Sequence, residues 1–414
     1  MYTGKYIYEK DWNKELCKVR KSHPNSTRLN NYLLKKLAEV DDITLEADKS
    51  EDFVSSKEIK KKIKHKGRSV SFFQFGAERV KSRFQAGKFS TCKGELSMLF
   101  NVREFLKWNR FEEREKVIKG IQERRRNRVG QSRKFGYDFL EHVKEEFDKE
   151  TSLYFEDITE AFLNNFKVFC ISYLEHKTRT VTNHLIYFRT LFNAAIKEGI
   201  VEPKYYPFGG EKERIRVKPT QKIGLTKEEI ERIEKVKLKK DGPVWHTRNV
   251  WLFSFYFAGI RISDVLQMKW SDLMDGRLYY TMNKNEKPLS LKIPDQAKKI
   301  LDFYRPLRQS QDDYIFPYLK KANPTSKRDV FVKTRNGTVI LNKYLKLLAE
   351  KCMITKNLSN HIARHSFGNI AGDAISPLML QKLYRHSDLK TTIMYQANFI
   401  HKDADDALDA VLNS

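Results

Sequence analysis

Residues 245–273 read "WHTRNVWLFSFYFAGIRISDVLQMKWSDL", and this stretch decides the fold of the C-terminal half of the chain. Apolar residues run almost unbroken to Phe257, and the pattern predicts an apolar helix that stops at Gly259. Ser263 can cap the next helix, with Asp264 in its first turn, where an acid suits the helix dipole. Arg261 then sits in a sharp joint between two helices. A permanent charge there needs an anion, and a structural ion pair meets that need as readily as a bound ligand.

Upstream, "TKEE" at 226–229 is a capping box and a domain opening. Before it, residues 203–224 hold prolines and glycines among many charges and read as a linker, with 206–224 as its body. Residues 67–205 read as all helical. In "KTRTVTNHLIYFRTLFNAAIKEG", Val181, Leu185, Phe188, Leu191 and Ala195 share one face. Lys177, Arg179, Thr182 and Asn183 lie at or near that helix's start, off the apolar face. They are candidate DNA-phosphate contacts or an ordinary solvated helix end. Within this block, 108–150 is strongly charged, includes "QERRRNR" (122–128), and is expected to be a polar helical hairpin or insertion. The first 66 residues open with a strand-like "KYIYEKDW". Leu29, Leu33 and Leu37 follow at helical spacing, and the block ends in a basic run read as solvated.

The 414 residues suit two or three domains, and 40% hydrophobic content is enough to build cores. Lys and Arg number 79 against 53 Asp and Glu, a formal charge of +26, which attracts a polyanion, most often nucleic acid. Cys17, Cys92, Cys170 and Cys352 are scattered, with no metal spacing or disulfide framework, which fits a reducing cytoplasm. No stretch approaches the ~18 apolar residues of a membrane span, and the N-terminus has no apolar signal core, so a soluble cytoplasmic protein is expected.

Downstream, "GRLYYTMNKNEKPLSLKIP" reads as a β-hairpin. Leu278 and Tyr280 precede the bend, Leu289, Leu291 and Ile293 follow it, and Lys284 stands at the tip, where a lysine is ordinarily just solvated. In "NHIARHSFG", His361 and Arg364 are spaced to share a helix face. In "LYRHSDLKTTIMY", His386 precedes a helix start at Ser387–Asp388, and Thr391–Thr392 can cap a short helix carrying Tyr395 in its first turn.

Each piece alone is ordinary. Together they suit one reaction, cleavage of a phosphodiester by a phenol. A tyrosine hydroxyl is a weak nucleophile that must be used as it loses its proton. The transition state gathers negative charge on the non-bridging oxygens, which arginine forks bind. A lysine can protonate the poor 5′ leaving oxygen, and histidines can hold phosphate or take the tyrosine proton. No metal or other cofactor is needed.

Arg…Lys…His-x-x-Arg…His…Tyr in this order resembles the tyrosine recombinase (phage-type integrase) family. "AGIRISDVLQMKW", "NKNEK", "HIARHSFG" and "YRHSDLKTTIMY" carry the resemblance, which is specific over about 220–400 and looser over 67–205. It implies a mainly α (α+β) chain. The expected parts are a truncated arm-type DNA-binding region and basic linker (1–66), a helical SAM-like core-binding domain (67–205), and a catalytic domain with a small β-sheet (225–400). A C-terminal helix (401–414) would carry Ala404, Ala407, Leu408, Val411 and Leu412 on one face, packed on a neighbouring copy. It also implies that Arg261 and Arg364 clamp the scissile phosphate and that Lys284 is general acid. His361 would be proton acceptor or phosphate ligand, His386 would bind phosphate, and Tyr395 would attack to give a 3′-phosphotyrosine.

The implied partners are duplex DNA clamped by the two larger domains, a homotetramer on two sites, and accessory DNA-bending or excision proteins. The implied outcome is integration, excision or inversion of a mobile element. Arg385 replaces the family's glycine before the second histidine, and Asn285 replaces a frequent threonine. An inactive recombinase-derived DNA binder, a type IB topoisomerase and a basic RNA-binding scaffold are the competing readings.

Overall fold

The computed structural model describes residues 6–49, 70–126, 139–216, 223–283, 288–372, 374–393 and 411–412. The chain forms two compact units, Met1–Val217 and Lys218–Ser414. The fold is mostly helical with small antiparallel sheets, as expected. Among the described residues no helix is long and apolar enough to cross a membrane.

The first unit opens with a minimal hairpin, β1 (Trp12–Asn13) against β2 (Lys18–Val19). Helix α1 (Ser26–Lys49) is tied to it by Asn30, whose amide exchanges hydrogen bonds with the Val19 backbone at 2.8 and 2.9 Å. The strand-like opening run is thus mainly not a strand. Glu9–Asp11 is a 3-10 turn, and pairing starts only at Trp12.

Six of the described helices and their connections surround one aromatic core: α2 (Phe72–Gln85), α3 (Phe89–Trp108), α4 (Arg114–Arg126, through Ile121), α5 (Phe139–Phe147), α6 (Glu160–Ser172) and α7 (Thr178–Lys197). Ser71 and Gln74 form a reciprocal cap at the start of α2, satisfying two helix-end donors. Phe72, Phe105, Phe166 and Phe188 meet edge-on or stacked at the centre. The expected apolar face of α7 is buried, from Val181 to Ala195.

Two readings change here. The charged segment is not wholly an appended polar hairpin, because α5 puts Phe139, Val143 and Phe147 into the core. Its middle, 127–138, lies outside the described residues. The linker is also partly packed. Phe208 is buried in the same core, and Glu213 pairs with Lys167 at 2.8 Å, so the chain leaves this unit only after those contacts.

His184 is buried on α7. Its Nδ1 donates to the Thr180 carbonyl at 2.8 Å and its Nε2 accepts from the Asn101 amide at 3.0 Å, which is the neutral tautomer. Burial lowers its pKa from the ordinary 6.5, with the Thr180 bond opposing. Between the lowered folded value and 6.5 the unfolded chain binds a proton that the folded one does not, so stability falls as pH drops through that window. The melting temperature of the chain is expected to decline below pH 6.5, and His184→Phe, which has no titrating nitrogen, is expected to flatten that decline.

The second unit begins with α8 (Lys227–Lys235). Thr226 accepts from the Glu229 N–H at 3.3 Å and Glu229 accepts from the Thr226 N–H at 2.8 Å, so the predicted capping box is present. Helix α9 (Pro243–Tyr256) is the central piece, burying Val250, Trp251, Leu252 and Phe253. Helix α10 (Ile262–Gln267) follows the joint. A three-stranded antiparallel sheet comes next: β3 (Leu273–Met274), β4 (Arg277–Thr281) and β5 (Pro288–Lys292). Its register sets Leu278 opposite Leu291 and Tyr280 opposite Leu289, the predicted hairpin. Four helices, α11 (Asp295–Tyr304), α12 (Lys327–Lys351), α13 (Ile362–Ile370) and α14 (Pro377–Tyr384), complete the unit. Helices α10 to α13 pack against α9 on several sides, which explains why its apolar residues have no polar face. Of the C-terminal face, Val411 and Leu412 are helical and exposed, while Ala404, Ala407 and Leu408 lie outside the described residues.

Candidate active site

The joint after α9 is built by Gly259 and Ser254. Gly259 has φ +68°, and its N–H donates to the Ser254 carbonyl at 2.8 Å, while Ser254 Oγ donates to the Ile260 carbonyl at 2.6 Å. This turn sets Arg261 at the position preceding α10, where its guanidinium meets Met282 Sδ. Glycine is required for a second reason. A Cβ at 259 would stand 2.3 Å from Arg364 Cα, so the joint lies directly on the backbone of α13.

Helix α13 is fixed from three directions. Ser366 Oγ accepts from the Leu225 N–H at 2.9 Å, Trp251 Nε1 donates to the Ser359 carbonyl at 3.1 Å just before the helix, and Gly259 contacts Arg364. Arg364 is buried, 3% exposed. Its Nη1 donates to the Gly259 carbonyl at 3.1 Å and its Nη2 to the Tyr384 carbonyl at 2.7 Å, and its guanidinium carbon lies 3.8 Å from the Tyr384 ring centroid. These carbonyls and the ring orient a planar cation that keeps its charge. His361 stands at the helix start, exposed, with its ring 4.6 Å from that of His365. Arg261, His361 and Arg364 line one pocket of about 310 Å³, together with Thr338, Asn342 and Asn360.

His386 joins this group from behind α14. Its Nε2 lies 3.4 Å from Arg364 Nη2, which can only donate, so Nδ1 carries the proton and donates to Thr392 Oγ1 at 3.0 Å. That contact corrects the reading of the threonine pair. The helical stretch 389–393 begins under Asp388, whose carboxylate accepts from the Lys390 N–H at 3.0 Å. Thr392 is therefore inside the helix, fully buried, and serves His386 rather than capping. Lys284, Asn285 and Tyr395 lie outside the described residues.

Four of the six predicted side chains thus converge. The family model "Phage integrase family" matches residues 224–401, "Phage integrase SAM-like domain" matches 117–215, and "Arm DNA-binding domain" matches 1–60. The chain belongs to the phage integrase, or tyrosine recombinase, family.

Among relatives of this chain, tyrosine recombinase XerC of Xanthomonas axonopodis pv. citri is 26% identical over 181 residues, 43% of this chain and 55% of XerC. Tyrosine recombinase XerD of Chlamydia trachomatis is 28% identical over 147 residues, 35% of this chain and 46% of XerD. The match thus spans about half the length of these curated relatives. The XerH site-specific recombinase, in a post-cleavage complex with a palindromic difH substrate, shares the fold. Its TM-score is 0.51 at 18% identity, covering 81% of this chain and 95% of XerH.

The backbone bears on the residue before the second histidine, where the family resemblance leads one to expect glycine. Residue 385 closes α14 at φ +54°, ψ +37°, the left-handed region. Glycine enters that region freely, whereas an L side chain there costs about 1 kcal/mol. Arg385 accepts the cost and is buried, 5% exposed. Sequence reading also passed over Asp264. Expected as a helix-start acid, it is 4% exposed. Burial raises its carboxyl pKa, and Arg261, Asn283 and Arg385 beside it pull the other way. The available signal was an acid five residues past Gly259 and three past Arg261.

The DNA-contact candidates of the first unit divide. Lys177 and Arg179 are exposed at the start of α7 and Asn183 is half-buried. Thr182, expected off the apolar face, is buried and donates its hydroxyl to the Thr178 carbonyl at 2.9 Å, so the helix itself uses its one donor.

Proposed function

We propose that this recombinase family member cuts and rejoins duplex DNA through a 3′-phosphotyrosine, acting as a site-specific integrase of a mobile element. The observation that carries the reading is the single pocket lined by Arg261, His361 and Arg364, with His386 against Arg364. Two guanidinium groups can share the non-bridging oxygens of one phosphate and favour the more negative transition state. His386 can bind the same phosphate, its tautomer held by Thr392. Tyr395 Oη attacks phosphorus as its proton passes to a base, for which His361 is the candidate. The bond to the 5′ oxygen breaks, and Lys284 supplies that oxygen's proton. Phosphodiester energy stays in the phosphotyrosine, so rejoining needs no nucleotide. Lys177, Arg179, Thr182 and Asn183 are the proposed flank contacts, with Thr182 acting through its helix. Recognition of two DNA sites by four copies, with accessory DNA-bending or excision proteins, completes the proposal.

A nicked suicide substrate tests it. Wild-type protein is expected to accumulate a covalent protein–DNA complex, and Tyr395→Phe none. A complex that survives Tyr395→Phe, or the lack of one with wild type on its own element's DNA ends, would leave only a DNA-binding protein. Relaxation of plasmid lacking any specific site would favour a type IB topoisomerase instead. With a formal charge of +26, DNA affinity is expected to fall about a hundredfold or more between low and moderate salt. A flat salt response would contradict phosphate-dominated binding.

A further inference from the structure

Arg385 departs from the family's glycine at a backbone angle that favours glycine, so its side chain needs a compensating role. The guanidinium carbon lies 4.1 Å from the Tyr280 ring centroid. Tyr280 belongs to β4, paired with Leu289 of β5, and β4 leads toward Lys284 in the chain. Burial lowers the Arg385 pKa, with the Tyr280 and Asp264 charges opposing and Arg261 adding to the shift, all through space. One side chain therefore joins two pieces of the site, the turn carrying His386 and the sheet.

We propose that Arg385 is a positioning residue that fastens the His386 turn to Tyr280 of the sheet, so that His386 is held beside Arg364 at one phosphate. The proposal rests on the phosphodiester reading of the pocket. Arg385 does not itself line that pocket, whose walls come from residues 259–263, 338, 342, 359–361 and 364. It acts through its neighbours. Stacking of a planar guanidinium on a ring is directional, and lysine reproduces only the charge. The clamp pairs an arginine at 385 with an aromatic ring at 280, and it replaces backbone freedom at the turn with a side-chain tie.

The test uses the full chain and four proteins: wild type, Arg385→Gly, Tyr280→Leu and the double variant. Glycine suits the left-handed turn, so Arg385→Gly is expected to fold. Its single-turnover cleavage of nicked DNA is expected to slow about tenfold or more while DNA affinity stays within about twofold, because displaced groups cost rate rather than binding. Tyr280→Leu is expected to match it, the double variant to be no slower than either single, and Tyr280→Phe, which keeps the ring, to stay near wild type. Multiplying effects, or wild-type cleavage by Arg385→Gly, would overturn the positioning role.

Melting of the same four proteins reads the clamp without the reaction. Tyr280→Leu is expected to lower the melting temperature about 2–4 °C more in the wild-type background than in the Arg385→Gly background. Equal drops would show that the side chains are not coupled and sink the proposal. If wild type forms no covalent complex at all, the phosphodiester reading fails and the positioning role with it, while the melts still report whether the clamp exists.

Discussion

Arg364→Gln is expected to lower the single-turnover rate of strand cleavage by about a thousandfold or more, with a much smaller change in DNA affinity. The estimate follows from what preorganised cationic donors contribute to phosphoryl-type transition states, about 10³-fold or more. Arg364 is held by the Gly259 and Tyr384 carbonyls at 3.1 and 2.7 Å and by the Tyr384 ring, so it needs no reorganisation when charge develops. Glutamine can keep one of those bonds and loses the charge. Arg364→Lys keeps the charge and loses the fork, and it is expected to recover only part of the rate. A loss confined to binding would place Arg364 among ordinary phosphate contacts. A folded Arg364→Gln variant with near-wild-type cleavage would remove it from the reaction.

Gly259→Ala is the second large effect. The alanine Cβ would lie 2.3 Å from Arg364 Cα and 2.7 Å from its Cβ, at a backbone φ of +68°. Both atoms belong to the fixed part of α13, so no flexible side-chain end can move aside. The left-handed penalty and the overpacking together are expected to cost about 2–4 kcal/mol of stability. Separation of the joint from α13 would also spread Arg261 and Arg364, and cleavage is expected to fall about a hundredfold even where the chain remains folded. Denaturant melts and cleavage assays on the same preparation check both. A stable, active Gly259→Ala protein would show that the joint and α13 need not touch.

How far the sequence carried can be judged from single residues. The helix stop at Gly259, the Thr226 capping box and the hairpin of Leu278 and Leu291 were legible because each depends on local chemistry that a few neighbours determine. The buried face of α7 was legible because period 3.6 survives in any core. Convergence of Arg261, His361 and Arg364 followed only from their order and the family likeness, since about a hundred residues separate the first from the others. The roles of Thr392 and Asp264 were not legible. Both residue types are common at helix starts, and only tertiary packing turned one inward to His386 and buried the other among arginines. Arg385 was noticed as a departure, but its cause, a left-handed residue closing α14, is a backbone fact that no composition rule exposes. The 108–150 segment misled for the opposite reason. Its charges dominate the composition, while three apolar residues of α5 decide its packing.

The central claim is that a phenolic oxygen at residue 395 takes the phosphate held by Arg261 and Arg364. Its most direct measurement is mass spectrometry of the covalent protein–DNA complex trapped on nicked DNA, after nuclease and protease digestion. The account predicts one modified peptide, with a 3′-linked nucleotide on Tyr395. A nucleotide on any other residue, or no modified peptide from a preparation that binds its DNA, would contradict it.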